Sequence, residues 1–123
     1  MQNGSLWCWG SGTDGRLGTG GESQQPLPAV VEDGIWGHGP GRLPLVDISI
    51  DVHHTCAVVA DGPAWCWGRG ANDRLGNGGA NNQARPVQVS NEAWEEEGML
   101  KVTAIATGDL YSCAIVSNGS VWC

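Results

Sequence analysis

The chain contains no phenylalanine and a single tyrosine, so its aromatic core must rest on seven tryptophans. Lys and Arg number only six against 13 Asp and Glu, a net charge of −7. Nucleic-acid binders neutralise phosphates with clustered cations. Here Arg16, Arg42, Arg69, Arg74, Arg85 and Lys101 are scattered, which excludes an electrostatic nucleic-acid interface and an anionic-membrane one. No apolar run approaches the roughly 20 residues of a membrane span. The start Met1-Gln2-Asn3-Gly4 lacks the basic and apolar regions of a signal peptide. Uninterrupted helical periodicity is scarce too, because the 20 glycines of the 123 residues break nearly every stretch. What is left is an all-β chain with tight turns.

The same residues recur. Asn3-Gly4-Ser5-Leu6-Trp7-Cys8-Trp9-Gly10 returns 58 residues on as Asp61-Gly62-Pro63-Ala64-Trp65-Cys66-Trp67-Gly68. It begins a third time, 57 residues later, as Asn118-Gly119-Ser120-Val121-Trp122-Cys123. Arg16-Leu17-Gly18-Thr19-Gly20-Gly21 matches Arg74-Leu75-Gly76-Asn77-Gly78-Gly79, Pro28 matches Pro86, and Trp36 matches Trp94. Thr55-Cys56-Ala57-Val58-Val59 then matches Ser112-Cys113-Ala114-Ile115-Val116 at a spacing of 57. One spacing held over several blocks marks a repeat architecture.

Each unit reads as short strands. Val46 to Ile50 alternates with period two, and Val102 to Ile105 does so less cleanly. Thr55 to Ala60 and Ala64 to Trp67 flank Asp61-Gly62, a hairpin dipeptide; Ser112 to Ser117 and Ser120 to Trp122 flank Asn118-Gly119. A further strand is expected at Pro86 to Val89 and at Ala29 to Val31. Four strands per unit suit a propeller blade or half a sandwich. Trp-Cys-Trp, apolar on both sides of its strand, suits a sheet with both faces covered. The chain divides into a first repeat at 1–44, a second at 45–100 and the start of a third at 101–123.

The pattern resembles the regulator of chromosome condensation repeat family. The residues that carry the likeness are Asp61-Gly62, Trp67-Gly68, Arg74-Leu75-Gly76-Asn77-Gly78 and Pro86, and again Asn3-Gly4, Trp9-Gly10, Arg16 to Gly20 and Pro28. Arg16 and Arg74 depart from it, standing where Gln is usual. The Trp-Cys-Trp-Gly variant is similar to bacterial members. The resemblance implies a seven-bladed β-propeller of four-stranded antiparallel blades that serves as a rigid interaction platform. Seven units need several times this length, so the expectation is a fragment of a longer propeller, with self-association as the alternative.

Cys56 and Cys66 stand ten apart across a hairpin, as do Cys113 and Cys123. If each turn holds three residues, the members of each pair face each other, within reach of a disulfide. The partner of Cys8 would then lie two positions before residue 1. The alternative is five small buried thiols in a reducing cytosol. The disulfide reading implies an oxidising compartment, the exterior or cell envelope of a bacterium.

Catalytic and cofactor motifs do not assemble. Gly10-Ser11-Gly12-Thr13-Asp14-Gly15 matches the dinucleotide fingerprint, yet no helix can follow in Arg16-Leu17-Gly18-Thr19-Gly20-Gly21. A blade turn accounts for it better. His53, His54 and Cys56 are three potential metal ligands, but neighbours on a strand point to opposite faces. The unit's equivalents Leu110 and Tyr111 lack the pair, so a polar hairpin shoulder is the expectation and no metal is assigned. His38 sits in a glycine-rich tip. Ser49, Ser90, Ser112 and Ser117 follow no nucleophile-elbow pattern and have no paired histidine nearby. Asp47 and Asp51 show no spacing that predicts a shared cleft. Asn3-Gly4-Ser5 and Asn118-Gly119-Ser120 match the glycosylation acceptor pattern and are also the unit turns. The acidic run Glu92 to Glu97 reads as a solvated face.

Trp36 and Trp94 occupy one position of the long loop in each unit. They either cap their own blade or anchor a partner. The expected function is non-enzymatic: a propeller module, free of cofactor and metal, that offers loops to a protein partner. Within the resembled family one branch promotes guanine-nucleotide exchange on a small GTPase and another is secreted and inhibits β-lactamases. A carbohydrate-binding propeller that stacks sugars on Trp36 and Trp94 is the reading from a different class.

Overall fold

The computed structural model describes residues 5–31, 44–60, 62–90 and 101–123. The described strands are β1 (Trp7–Gly10), β2 (Gln25–Val30), β3 (Leu45–Ile50), β4 (His54–Val59), β5 (Ala64–Gly68), β6 (Gln83–Gln88), β7 (Val102–Thr107), β8 (Ser112–Val116) and β9 (Val121–Trp122). They form three sheets, β1-β2, β3-β4-β5-β6 and β7-β8-β9. Every pairing is antiparallel between chain neighbours. The second sheet is the complete four-stranded meander expected of a blade.

The strand bounds differ from the sequence expectation mainly at the outer strand. β6 starts three residues before Pro86, and β2 starts four before Ala29. Proline withholds an amide from the ladder, and it is tolerated because β2 and β6 lie at the edges of their sheets. The hairpin turns are as expected. Cys56 pairs with Cys66 and Ala114 with Trp122, registers that leave three residues in each turn. Gly119, at φ +86, supplies the left-handed residue of the second turn.

β4 shows why its sequence from Cys56 to Val59 is apolar at every position. All six of its residues are buried. Cys56 and Val58 pack with Val102, Ile105, Ala114 and Val116 of the third sheet. Ala57 and Val59 pack with Val31 and Trp67, against Leu6 and Cys8 of the first. Successive side chains thus serve opposite seams, as a strand covered on both faces requires. Burying each valine contributes about 1.5–3 kcal/mol.

The glycine that ends β5 is as constrained as the residues it joins. Gly68 has φ +108, and a Cβ there would stand 2.6 Å from the His53 carbonyl oxygen. The ladder shifts register between Cys66 and Gly68, and the first unit repeats this between Cys8 and Gly10. This bulge turns the chain out of the sheet toward the neighbouring unit.

Candidate functional site: the seams between repeat units

Adjacent sheets are held by polar bonds that recur from one seam to the next. The Thr55 hydroxyl donates to the carbonyl oxygen of Arg16 at 3.1 Å. One unit later, the Ser112 hydroxyl donates to the carbonyl oxygen of Arg74 at 2.8 Å. Each arginine also braces its own turn: Arg16 Nε donates to the Thr13 carbonyl and Arg74 Nε to the Ala71 carbonyl. Those turns are single 3-10 turns, Thr13–Gly15 and Ala71–Asp73. The glycine fingerprint at 10–15 is therefore a turn between strands, with no following helix to hold a pyrophosphate.

The inner strands meet side chain to edge. Asp47 Oδ2 accepts from the Ile105 amide and Ser49 Oγ from the Thr107 amide, both at 3.0 Å. β7 pairs only with β8, so these amides belong to an open sheet edge that would otherwise lack acceptors. Sequence spacing gave no reason to join Asp47 and Ser49 to residues 58 positions away. Their alternation on β3 was the available signal, since both fall on the face turned from Val46, Ile48 and Ile50.

His54 corrects two sequence expectations. It is no polar shoulder: its side chain has 0 % exposure and lies inside the second seam. Ser112 does have a histidine partner, because His54 Nε2 stands 2.8 Å from its Oγ. The two are 58 residues apart in sequence, out of range of a motif. Asp51 Oδ1 lies 3.1 Å from His54 Nδ1 and also accepts the amides of His53 and His54. Burial holds the His54 pKa below its ordinary value of 6.5. The Asp51 carboxylate opposes this and the Arg74 guanidinium adds to it.

Asp51, His54 and Ser112 stand in the order of a hydrolase triad, in a seam that closes the His54 ring off from solvent. A nucleophilic serine gives its proton to the histidine. Here the Ser112 hydroxyl has a second acceptor, the Arg74 carbonyl at 2.8 Å, beside His54 Nε2 at 2.8 Å. Across the seam the cluster gives Ser112 Oγ two partners, while Asp51 Oδ2 is buried without one among the described residues. His53 points elsewhere, 3.6 Å from Asp109, and among the described residues no three metal-ligating side chains gather.

The cysteines are brought together as their spacing predicts. Cys56 and Cys66 sulfurs lie 2.08 Å apart, and those of Cys113 and Cys123 2.12 Å apart. Cys8 is unpaired and half-buried, and burial raises its thiol pKa. Trp36 and Trp94, the sequence candidates for partner binding, lie outside the described residues.

The repeat itself matches a known family. The model of the regulator of chromosome condensation (RCC1) repeat matches residues 3–58 and again 61–115. The chain belongs to the RCC1 repeat family. Human HERC2, an E3 ubiquitin-protein ligase, is 33 % identical over 121 residues, 97 % of this chain and 2 % of HERC2. The mitochondrial RCC1 domain-containing protein RUG3 of Arabidopsis thaliana is 28 % identical, over 98 % of this chain and 25 % of RUG3. Prp20p from Saccharomyces cerevisiae superposes with a TM-score of 0.79 at 26 % identity, covering 98 % of this chain and 28 % of that one. Human WBSCR16 gives 0.77 at 21 % identity, over 97 % of this chain and 28 % of its own. The chain thus spans about a quarter of RUG3, Prp20p and WBSCR16, and far less of HERC2. Its sheets are RCC1 blades of a β-propeller.

Proposed function

We propose that these RCC1 repeats act without chemistry of their own, as a rigid scaffold that presents the segments 32–43 and 91–100 to a protein partner. The observation that carries this reading is the repeated seam: Thr55 to Arg16 and Ser112 to Arg74 fix neighbouring units at one spacing. The segments joining β2 to β3 and β6 to β7 then start from rigid strand ends, each with a tryptophan at the same place in its unit. Tryptophan is a frequent anchor of protein interfaces. Protein binding is also reported of neighbours in the fold: Prp20p for its properties toward Gsp1p and histones, and yeast RCC1 in a complex with Kap60. The acidic balance of this chain favours a basic protein surface over nucleic acid.

The two cysteine pairs at bonding distance favour an oxidising compartment, the exterior or cell envelope of a bacterium.

The test is affinity capture with the chain as bait, beside its Trp36→Ala/Trp94→Ala form. A captured protein that binds the purified chain directly, and binds the double variant at least tenfold more weakly, supports the reading. Equal binding by both forms removes the tryptophans from it. Nucleotide release from a captured GTPase would make the scaffold an exchange factor.

A further inference from the structure

Two arginines occupy one position of the repeat and differ in what they face. In the first unit Arg16 Nη2 lies 3.8 Å from Asp14 Oδ2, so that turn carries its own counter-ion. In the second unit the place of Asp14 is taken by Asn72, held at the same φ of 61°. The carboxylate has become an amide. Arg74 is nevertheless the more deeply buried of the two, at 3 % exposure. Among the described residues no carboxylate oxygen comes within 4 Å of its guanidinium. Asp73, beside it in the turn, is exposed.

The partners Arg74 does have are neutral. Nε donates to the Ala71 carbonyl at 2.7 Å, and Nη1 crosses the seam to the Asp109 carbonyl at 2.8 Å. Nη2 has no acceptor among the described residues and is not sealed from solvent. A buried guanidinium without a negative partner is costly, and folded proteins as a rule pair it.

Arg74 lines a cavity of about 400 Å³ between the second and third units, a volume typical of small-molecule sites. Tyr111 and Ser112 add polar groups to its wall, and Val89, Leu110 and Trp122 make it apolar elsewhere. The first seam opens a cavity of about 470 Å³ at the matching place, lined by Arg16, Leu17 and Thr55. There Asp14 already neutralises the arginine.

We propose that the cavity at Arg74 binds a small organic acid, its carboxylate on the guanidinium and its apolar body against Leu110 and Trp122. Two carboxylate oxygens can accept side by side from Nη2 and from the remaining proton of Nη1, the fork geometry that arginine offers. The ligand supplies the charge that Asp14 supplies in the first unit. The apolar wall favours an acid with a hydrocarbon body over a small hydrated anion such as inorganic phosphate.

Phenylacetate is the probe, titrated calorimetrically into the full chain, with phenylacetamide as its uncharged analogue. The native chain should bind phenylacetate with a Kd below about 10 mM, and absence of saturable binding overturns the proposal. Arg74→Gln, Asn72→Asp and the exchange of phenylacetate for phenylacetamide should each weaken binding at least about tenfold. Arg16→Gln should bind like the native chain. Equal binding by Arg74→Gln and the native chain overturns the site, as does a loss confined to Arg16→Gln. Inorganic phosphate bound as tightly as phenylacetate overturns the organic-acid assignment. Should Arg74→Gln fail to fold, Asn72→Asp decides, because it changes an exposed turn residue and restores the internal counter-ion. That variant should lose the rise in unfolding temperature that phenylacetate gives the native chain, and a rise as large as the native one overturns the proposal.

Discussion

Ser112 places its hydroxyl 2.8 Å from the carbonyl of Arg74 in the preceding unit and 2.8 Å from Nε2 of the buried His54. Removing that hydroxyl leaves two buried groups without a partner. Ser112→Ala should therefore cost about 2 kcal/mol, since each orphaned group costs about 1–3 kcal/mol before relaxation. Thr55→Val breaks one bond of the first seam and should cost about 1 kcal/mol. Urea unfolding measures both against the exposed Ser23→Ala. If Ser112→Ala unfolds like that control, the seam bond contributes nothing.

Asp47 and Ser49 cover the open edge of β7 with side-chain oxygens. Asp47→Ala and Ser49→Ala should each speed hydrogen exchange at its own amide, Ile105 or Thr107, by about tenfold, the equivalent of about 1.4 kcal/mol. Amides of the β4–β5 ladder serve as the internal reference. Unchanged exchange at Ile105 in Asp47→Ala would mean that the edge is protected by packing alone.

Glycine matters at Gly12 and Gly70 for space. A Cβ at Gly12 would overlap the Ser23 carbonyl oxygen, and one at Gly70 the Asn81 carbonyl oxygen. Backbone must move in either case, so Gly12→Ala and Gly70→Ala should each cost more than about 2 kcal/mol. Gly21 has open space around it, and Gly21→Ala should stay within about 0.5 kcal/mol of the native chain. A thermal-shift comparison of the three decides. Similar midpoints for Gly12→Ala and Gly21→Ala would contradict the close approach.

Peptide mapping under non-reducing conditions should recover 56–66 and 113–123 as cross-linked pairs, with Cys8 alone alkylated. Cys8 should react slowly at neutral pH, because burial keeps its thiol protonated. Closing loops of this size contributes about 2–3 kcal/mol each, so reductant should lower the unfolding midpoint in two increments. Five alkylated thiols in unreduced protein would return the cysteines to simple core packing.

Much of the architecture was legible because it is local. The Asp61-Gly62 and Asn118-Gly119 dipeptides placed the hairpin turns. The ten-residue cysteine spacing then predicted the register in which Cys56 meets Cys66. The outer strands were less legible: those expected from Ala29 and from Pro86 begin at Gln25 and Gln83, and only an edge position shows why β2 and β6 run through their prolines.

The repeat, the all-β class and the membership of a propeller family follow from the sequence by itself, since identical spacing of turn glycines and strand tryptophans leaves one backbone path per unit. What joins the units was decided only by the tertiary structure. Asp47 to Ile105, Ser49 to Thr107 and His54 to Ser112 each link residues 58 positions apart. No local period encodes such a bond. It exists because stacking brings one sheet's edge against its neighbour's face, and a buried donor there must find an acceptor.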